Sequence, residues 1–202
     1  MKKTIIFCLL LISISARAQN NFLYITWDIS KPLTNTSWLG STTTKGGKAG
    51  YRGFVNDRIS IGGDFNWTTY DEYSPTETFQ FENGAITTDY FKYIYQYGFT
   101  ASGQYYFPIG DHEHFFPYAG LGLGANYMRY TMYYNIYTEE DNGWGFLARP
   151  EAGVLVRFGA RRSLGLMAAV HYDYTTNKSE LFDYDGFSAF GFQIGAIFMN
   201  RR

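Results

Sequence analysis

The sequence predicts an all-β fold, a closed eight-stranded antiparallel transmembrane β-barrel of up-and-down topology. Three observations lead there. Apolar and polar residues alternate with period two through eight segments, the connections between those segments are short and long in turn, and 20% of the residues are aromatic, with 22 glycines. A strand with lipid on one side and a filled lumen on the other must alternate in this way, because successive side chains point to opposite faces.

The first residues read as a leader. Lys2 and Lys3 precede an apolar run from Ile5 to Ile14 and the small-residue end Ala16-Arg17-Ala18, the order of a cleaved secretory signal peptide. A helix needs about 20 apolar residues to cross a bilayer, and this run is half that length. The expected division is a signal peptide at 1–18 and one barrel domain at 19–202. Cys8 lies inside the leader, so the mature chain has no thiol and neither a disulfide framework nor a thiolate metal site. Without the leader the chain carries 14 basic and 18 acidic residues, which gives no reason to expect nucleic acid as a partner.

The eight segments follow in order. In 23–30, Leu23, Ile25, Trp27 and Ile29 oppose Tyr24, Thr26, Asp28 and Ser30. The weakest is 48–55, with Ala49, Tyr51 and Val55 outward against Lys48, Gly50 and Arg52. In 59–67, Ile59, Ile61, Gly63, Phe65 and Trp67 oppose Ser60, Gly62, Asp64 and Asn66. Segment 93–107 places Tyr93, Tyr95, Tyr97, Phe99, Tyr105 and Phe107 on one face, with Gln96, Thr100, Ser102 and Gln104 on the other. In 117–127, Ala119, Leu121, Leu123 and Ala125 alternate with Gly120, Gly122, Gly124 and Asn126. Segments 146–158, 164–174 and 190–198 complete the set, with Arg149, Glu151, Arg157, His171 and Asp173 on their polar faces. Pro150 predicts a bulge, because a proline removes a ladder hydrogen bond.

The short connections are 56–58, 108–114 and 159–163, and the long ones 31–45, 71–91, 133–145 and 175–187. Even strand number, short periplasmic turns and long external loops are the layout of a bacterial outer-membrane barrel. Periodicity alone does not say which face is wet, and an exported lipocalin-like barrel or a β-sandwich shares it. Lipid on the outside is favoured by the charges and glycines of the proposed inner face, by the low overall charge, and by aromatic strand ends that would form two girdles. Trp27, Trp67, Tyr127, Phe146 and Tyr172 would form the outer girdle, and Phe54, Tyr105, Phe107, Tyr118, Phe158 and Phe198 the periplasmic one.

The run Pro117-Tyr118-Ala119-Gly120-Leu121-Gly122-Leu123-Gly124 resembles the central strand of small outer-membrane β-barrel proteins of the OmpA transmembrane-domain and OmpX type. The resemblance covers nearly the whole mature chain and rests mainly on layout. It implies an integral protein of the cell outer membrane and an assembly signal in the last strand, which Gln193, Gly195 and Phe198 match and Asn200-Arg201-Arg202 does not.

Ten inward positions carry charge or a titratable ring: Asp28, Lys48, Arg52, Asp64, Lys92, Arg149, Glu151, Arg157, His171 and Asp173. An eight-stranded barrel is only wide enough for side chains to fill it, so these groups are expected to form a plug of ion pairs, and a narrow low-conductance channel is the alternative. His171 and Asp173 share a face and have the chemistry of a base and its orienting carboxylate, but no nucleophile accompanies them. Outer-membrane lipid A deacylases carry a serine two residues after the histidine, where Asp173 stands here, so a lipid-modifying enzyme is not expected. Asp111-His112-Glu113-His114 reads as a solvated turn rather than a metal site. No catalytic residue, cofactor or metal ligand is assigned.

The long connections are rich in aromatic residues. Tyr73, Phe79, Phe81, Tyr137, Trp144, Phe182 and Tyr184 are the expected external-loop contacts, since exposed aromatic loops bind partners. The other reading of these rings is that strands extend past the membrane and stack them on their neighbours. The expected function is a non-enzymatic outer-membrane barrel serving envelope integrity, adhesion or a larger outer-membrane assembly. Its expected partners are outer-membrane lipid, lipopolysaccharide met by Arg129 at the rim, and a protein held by the loops.

Overall fold

The computed structural model describes residues 20–81, 84–107, 114–158 and 163–201. The leader and the residues 111–113 of the histidine-containing turn lie outside them. Eight antiparallel strands follow one another: β1 (Asn20–Pro32), β2 (Thr43–Phe54), β3 (Ile59–Phe81), β4 (Gly84–Tyr106), β5 (Phe115–Tyr134), β6 (Tyr137–Phe158), β7 (Leu164–Ser179) and β8 (Tyr184–Arg201). Each pairs with the next, and β1 closes on β8 along its whole length, from Asn20 opposite Arg201 to Pro32 opposite Ala189. Closure leaves no sheet edge within the barrel wall, the condition for a β-structure surrounded by hydrocarbon.

Alternation fixes what faces out. Leu23, Ile25, Ile61, Phe99, Leu121, Leu123, Leu166, Val170, Phe192 and Ile194 are exposed, whereas Asp28, Lys48, Arg52, Asp64, Gln96, Arg149, Glu151, His171, Asp173 and Gln193 are buried. This inverts a water-soluble barrel and identifies the outer wall as the lipid face. Trp27, Phe146 and Tyr172 end that wall on one side and Tyr105, Phe107, Phe158 and Phe198 on the other. Two expected girdle residues are corrected. Phe54 follows the inward positions 48, 50 and 52 of β2, and Tyr118 stands in register with the inward glycines of β5. Both rings pack inside against Tyr106, at 5.2 and 5.6 Å between centroids.

The segment least recognisable as a strand, β2, is held from both sides. Its partners run from Asn21–Gly53 to Ser30–Thr43 on β1 and from Gly46–Thr68 to Phe54–Ser60 on β3. Trp27 Nε1 donates to the Thr44 carbonyl at 2.7 Å, and the Trp67 ring lies where a Cβ on Gly47 would stand. Tertiary contact thus overrides the low strand propensity of a glycine-rich run. At the turn after β2, the Asn56 side-chain oxygen accepts from the amides of Arg58 and Ile59 at 2.9 and 2.8 Å.

Two expectations need revision. Pro150 makes no bulge, because β6 keeps one register with β7 from Ala148–Tyr174 to Glu151–His171, and the ladder only skips Arg149 and Pro150 between them. The register shift at a proline falls instead between Ser74 and Glu77, around Pro75 in the β3–β4 hairpin. The long connections 71–91 and 133–145 are also mostly strand. β3 and β4 are 23 residues each, β5 is 20 and β6 is 22, against 13 and 12 for β1 and β2. β2 leaves β3 after Thr68, and β7 meets β6 only from Leu147 onward. The outer parts of β3 to β6 therefore continue past the barrel as one four-stranded sheet, a fin carrying about 40 Å of strand in its longest hairpin.

The lipid face makes a direct prediction. Leu123, 44% exposed, lies midway between the girdles, so Leu123→Arg is expected to cost about 2–4 kcal/mol in urea titrations of the barrel folded into vesicles. A cost below about 0.5 kcal/mol is what an exposed position in water would give.

Candidate functional site

Two sites follow from this architecture: the charged middle of the lumen and the outer mouth. In the lumen, β2 and β6 send Lys48, Arg52 and Glu151 towards β3, where Asp64 stands. Lys48 Nζ donates to Glu151 Oε2 at 2.7 Å, and Arg52 Nη2 donates to Asp64 Oδ2 at 2.9 Å. Lys48 also lies 3.7 Å from Asp64, and Arg52 3.6 Å from Glu151, so the four form a closed ring. Tyr24 and Ser102 hydroxyls donate to Asp64, while the amides of Gln104 and Gln193 donate to Glu151 at 2.6 and 3.0 Å. Burying a charge is tolerable only with such pairing and added hydrogen bonds.

A second cluster adjoins it. Arg149 holds Asp173 with two donors, Nε and Nη2, the latter at 2.7 Å, in the bidentate geometry that suits guanidinium and carboxylate. The same Nη2 is 3.6 Å from Asp28. His171 sits between two carboxylates, with Nε2 2.9 Å from Asp28 and Nδ1 3.3 Å from Asp173. Lys48, Arg52 and Arg149 thus face four carboxylates, with the His171 ring between two of them. Gly191 makes room for the ring, since a Cβ there would run into His171 Nε2.

Eight of the ten expected lumen residues therefore meet. Lys92 and Arg157 do not, because each lies at an end of its inward face, beyond the charged layer. Lys92 Nζ stands 5.9 Å from the centre of the Trp38 ring at the mouth. The Arg157 guanidinium lies 4.2 Å from the centre of Phe116 at the opposite end. Apolar layers close the charged middle on both sides. Phe22, Tyr106, Tyr118, Leu155, Met167 and Ile197 pack below it, and Leu39, Tyr70, Ile94, Met128, Phe182 and Phe187 above.

The mouth is built by two connections folding inward. Residues 33–42 bring Trp38 and Leu39 over the lumen, and the β7–β8 turn brings Phe182. Asn35 organises the first of them in a left-handed conformation (φ 46°), accepting from the amides of Trp38 and Leu39 at 3.0 and 3.2 Å and donating through its side chain to the Phe182 carbonyl at 3.0 Å. Glu72 on the fin accepts from the amides of Gly40 and Ser41 at 2.6 and 3.0 Å. Thr34 and Ser188 hydroxyls meet at 2.8 Å. Between these loops and the base of the fin lies a cavity of about 540 Å³, lined by Asn35, Trp38, Tyr90, Lys92, Tyr134, Glu139 and Phe182 among others. The Tyr134 hydroxyl donates to Glu139 Oε1 at 2.7 Å, and that bond to a carboxylate, followed by burial, pushes the phenol up to about 12.

Of the expected external contacts, Tyr73 and Tyr137 are exposed. The side chains of Phe79 and Phe81 lie outside what is described. Trp144 is exposed, but it packs on girdle residue Tyr127 at 5.4 Å and belongs to the strand wall. Phe182 and Tyr184 are corrected. They are buried in the apolar layer beneath the mouth, with Trp38 5.0 and 5.8 Å from them, because the turn that carries them folds in rather than out. Trp38 and Leu39 were missed, although a lone Trp-Leu pair within a run of Thr, Ser, Asn and Gly is a signal that a loop docks on apolar surface. Among the described residues no cluster of His, Cys, Asp and Glu has the geometry to hold a metal ion.

The sequence profile of the outer membrane protein beta-barrel domain matches residues 4–198. The chain belongs to this outer-membrane β-barrel family. A search of curated proteins found no match. The structure of this outer-membrane barrel is similar to that of the attachment invasion locus protein Ail of Yersinia pestis, solved with the heparin analogue sucrose octasulfate, at 15% identity and a TM-score of 0.53 over 90% of this chain and 98% of that one. It is also similar to Neisserial surface protein A, at 13% identity and a TM-score of 0.56 over 88% and 96% of the two chains. The outer membrane protease OmpT of Escherichia coli matches at 6% identity and a TM-score of 0.52 over 90% and 96%. At these identities the likeness is one of fold alone.

The charge ring of this outer-membrane barrel is expected to hold its walls together. Removing one member strands its partners in a buried layer, so Glu151→Ala should cost about 3–5 kcal/mol in urea titrations of the folded barrel. A loss under about 1 kcal/mol would mean that the ring is hydrated rather than dry.

Proposed function

We propose that this protein is a non-enzymatic outer-membrane barrel whose fin is a contact surface for a partner protein, and that the barrel wall anchors it. The observation that carries this reading is the contrast between a lumen filled by side chains and an elaborated exterior. An ion-paired layer between two apolar layers opposes the passage of water and ions. The fin, by contrast, presents Tyr73, Phe91, Tyr133, Ile136 and Tyr137 as exposed large apolar residues. The outer edges of β3 beyond Thr68 and of β6 before Leu147 also lack a ladder partner among the described residues. Exposed apolar area and open strand edges are how one chain recognises another.

Charge narrows the partner. The segments 31–45, 71–92, 129–145 and 175–187 hold 11 acidic and 5 basic residues. A heparin-like polyanion of the kind seen with Ail would meet repulsion across most of this surface, so a partner with neutral or basic contacts fits it better. Arg129, stacked on Tyr95 at 4.7 Å and 4.0 Å from Glu140 near the outer girdle, is the cation this reading offers to lipopolysaccharide phosphates. His171 and Asp173 speak against catalysis, since both are enclosed and already bonded to charged neighbours, which leaves no approach for a substrate. The leader at 1–18 belongs to the same reading as the export signal removed before assembly.

Shortening the β3–β4 hairpin tests the proposal. Replacing residues 75–89 by Asn-Gly joins Ser74 to its ladder partner Tyr90 through a two-residue turn. The shortened chain is expected to fold with the gel mobility of a closed barrel and to lose a protein that co-purifies with the full chain from native membranes in mild detergent. The absence of any stoichiometric partner, or its retention by the shortened chain, would count against the fin as the contact. In planar bilayers the full chain is expected to show no steps of conductance, and regular steps would favour the channel.

A further inference from the structure

We propose that the cavity at the outer mouth is a binding site for an uncharged saccharide of one or two pyranose rings. The site is separate from the fin's outer surface and does not depend on a protein partner there. Its volume, about 540 Å³, falls within the roughly 300–1,000 Å³ of small-molecule sites. It is also preorganised: residues 33–42 are bonded to the strands through Thr34 and Glu72, and the β7–β8 turn is bonded to those residues through the Phe182 carbonyl, which accepts from Asn35. A site already rigid loses little entropy on binding.

The lining selects the ligand class. Trp38 supplies the part-exposed aromatic surface, backed by the buried rings of Tyr90, Tyr134 and Phe182, and the C–H face of a pyranose packs on such a ring. Asn35, Lys92, Glu139 and Asp183 stand among them and supply both donors and acceptors for hydroxyl groups. Tyr134 occupies one oxygen of Glu139, fixing that carboxylate at the wall. An acyl chain or other apolar ligand would desolvate Lys92 and Glu139 without replacing their hydrogen bonds. Two carboxylates against one ammonium disfavour a polyanion, and Lys92, 5.9 Å from the Trp38 ring, occupies the position that a cationic ligand would take over the aromatic surface. A neutral polyhydroxylated ring satisfies all of these groups together.

The test is a titration of the folded barrel in a detergent with no sugar headgroup. Glucose, N-acetylglucosamine, maltose and lactose are added while intrinsic tryptophan fluorescence and binding heat are recorded. At least one of them is expected to give a saturable change with a millimolar or lower Kd. Trp38→Ala removes one stacked ring, worth about 0.5–1.5 kcal/mol, and should weaken that Kd by up to roughly tenfold. Because Trp38 also packs on Phe182, Glu139→Gln is the second variant. It keeps the shape of the side chain and should weaken binding severalfold while the circular dichroism and gel mobility of the barrel stay unchanged. No saturable response to any of the four sugars would overturn the proposal, as would equal affinity in both variants, or saturable binding of tetramethylammonium in place of sugar. Loss of the co-purifying partner on shortening the fin reads the other site, so the two proposals fail separately.

Discussion

Everything in this barrel depends on the pairing of β1 with β8 in a hydrocarbon surround. An unpaired backbone amide or carbonyl in lipid costs several kcal/mol, so the sheet must close, and with eight strands it closes around a lumen no wider than two side chains meeting. That narrowness decides the interior. Small residues are needed where large ones cross: the ring and hydroxyl of Tyr24 and the Asp64 carboxylate leave no room for a Cβ on Gly50, and His171 leaves none on Gly191. Charges are tolerated only where each finds an opposite partner within hydrogen-bond reach.

The same constraint separates the molecule into zones with different tasks. The wall faces lipid with aliphatic residues between two aromatic girdles. The lumen is a stack, apolar, charged and apolar again. Freed from lipid above the outer girdle, the strands no longer need to close, and four of them run on as an open sheet. Open edges that would be untenable in hydrocarbon are acceptable in water. The two loops that do not join the fin fold over the lumen instead and leave a cavity beside its base.

Much of the fold was legible in the sequence because the lipid environment writes period two on each strand. Ile61-Gly62-Gly63-Asp64 and Leu121-Gly122-Leu123-Gly124 show which side is which without any partner in view. Asp28, Asp64, Arg149, Glu151, His171 and Asp173 could be assigned to the interior by counting alone. Counting failed at strand ends, where Phe54 and Tyr118 looked like girdle residues although their parity placed them inside. It also failed at Pro150, where the neighbouring strands keep register across the missing hydrogen bond. The hairpins were read as loops because their outer residues face water on both sides, and a strand without a lipid face loses the alternation that marks it.

The sequence by itself determined the barrel and its strand number, since both follow from alternation and spacing along one chain, and the charges and glycines of one face favoured lipid on the other. Only the tertiary structure decided which carboxylate each cation holds, that Lys92 and Arg157 stand outside the ring, that Phe182 and Tyr184 are buried, and that Trp38 and Glu139 border one cavity. Those facts depend on residues far apart in the chain meeting across the lumen. The register that brings Lys48 to Glu151, or Asn35 to Phe182, is set by the accumulated stagger of eight paired strands. No local pattern encodes that sum.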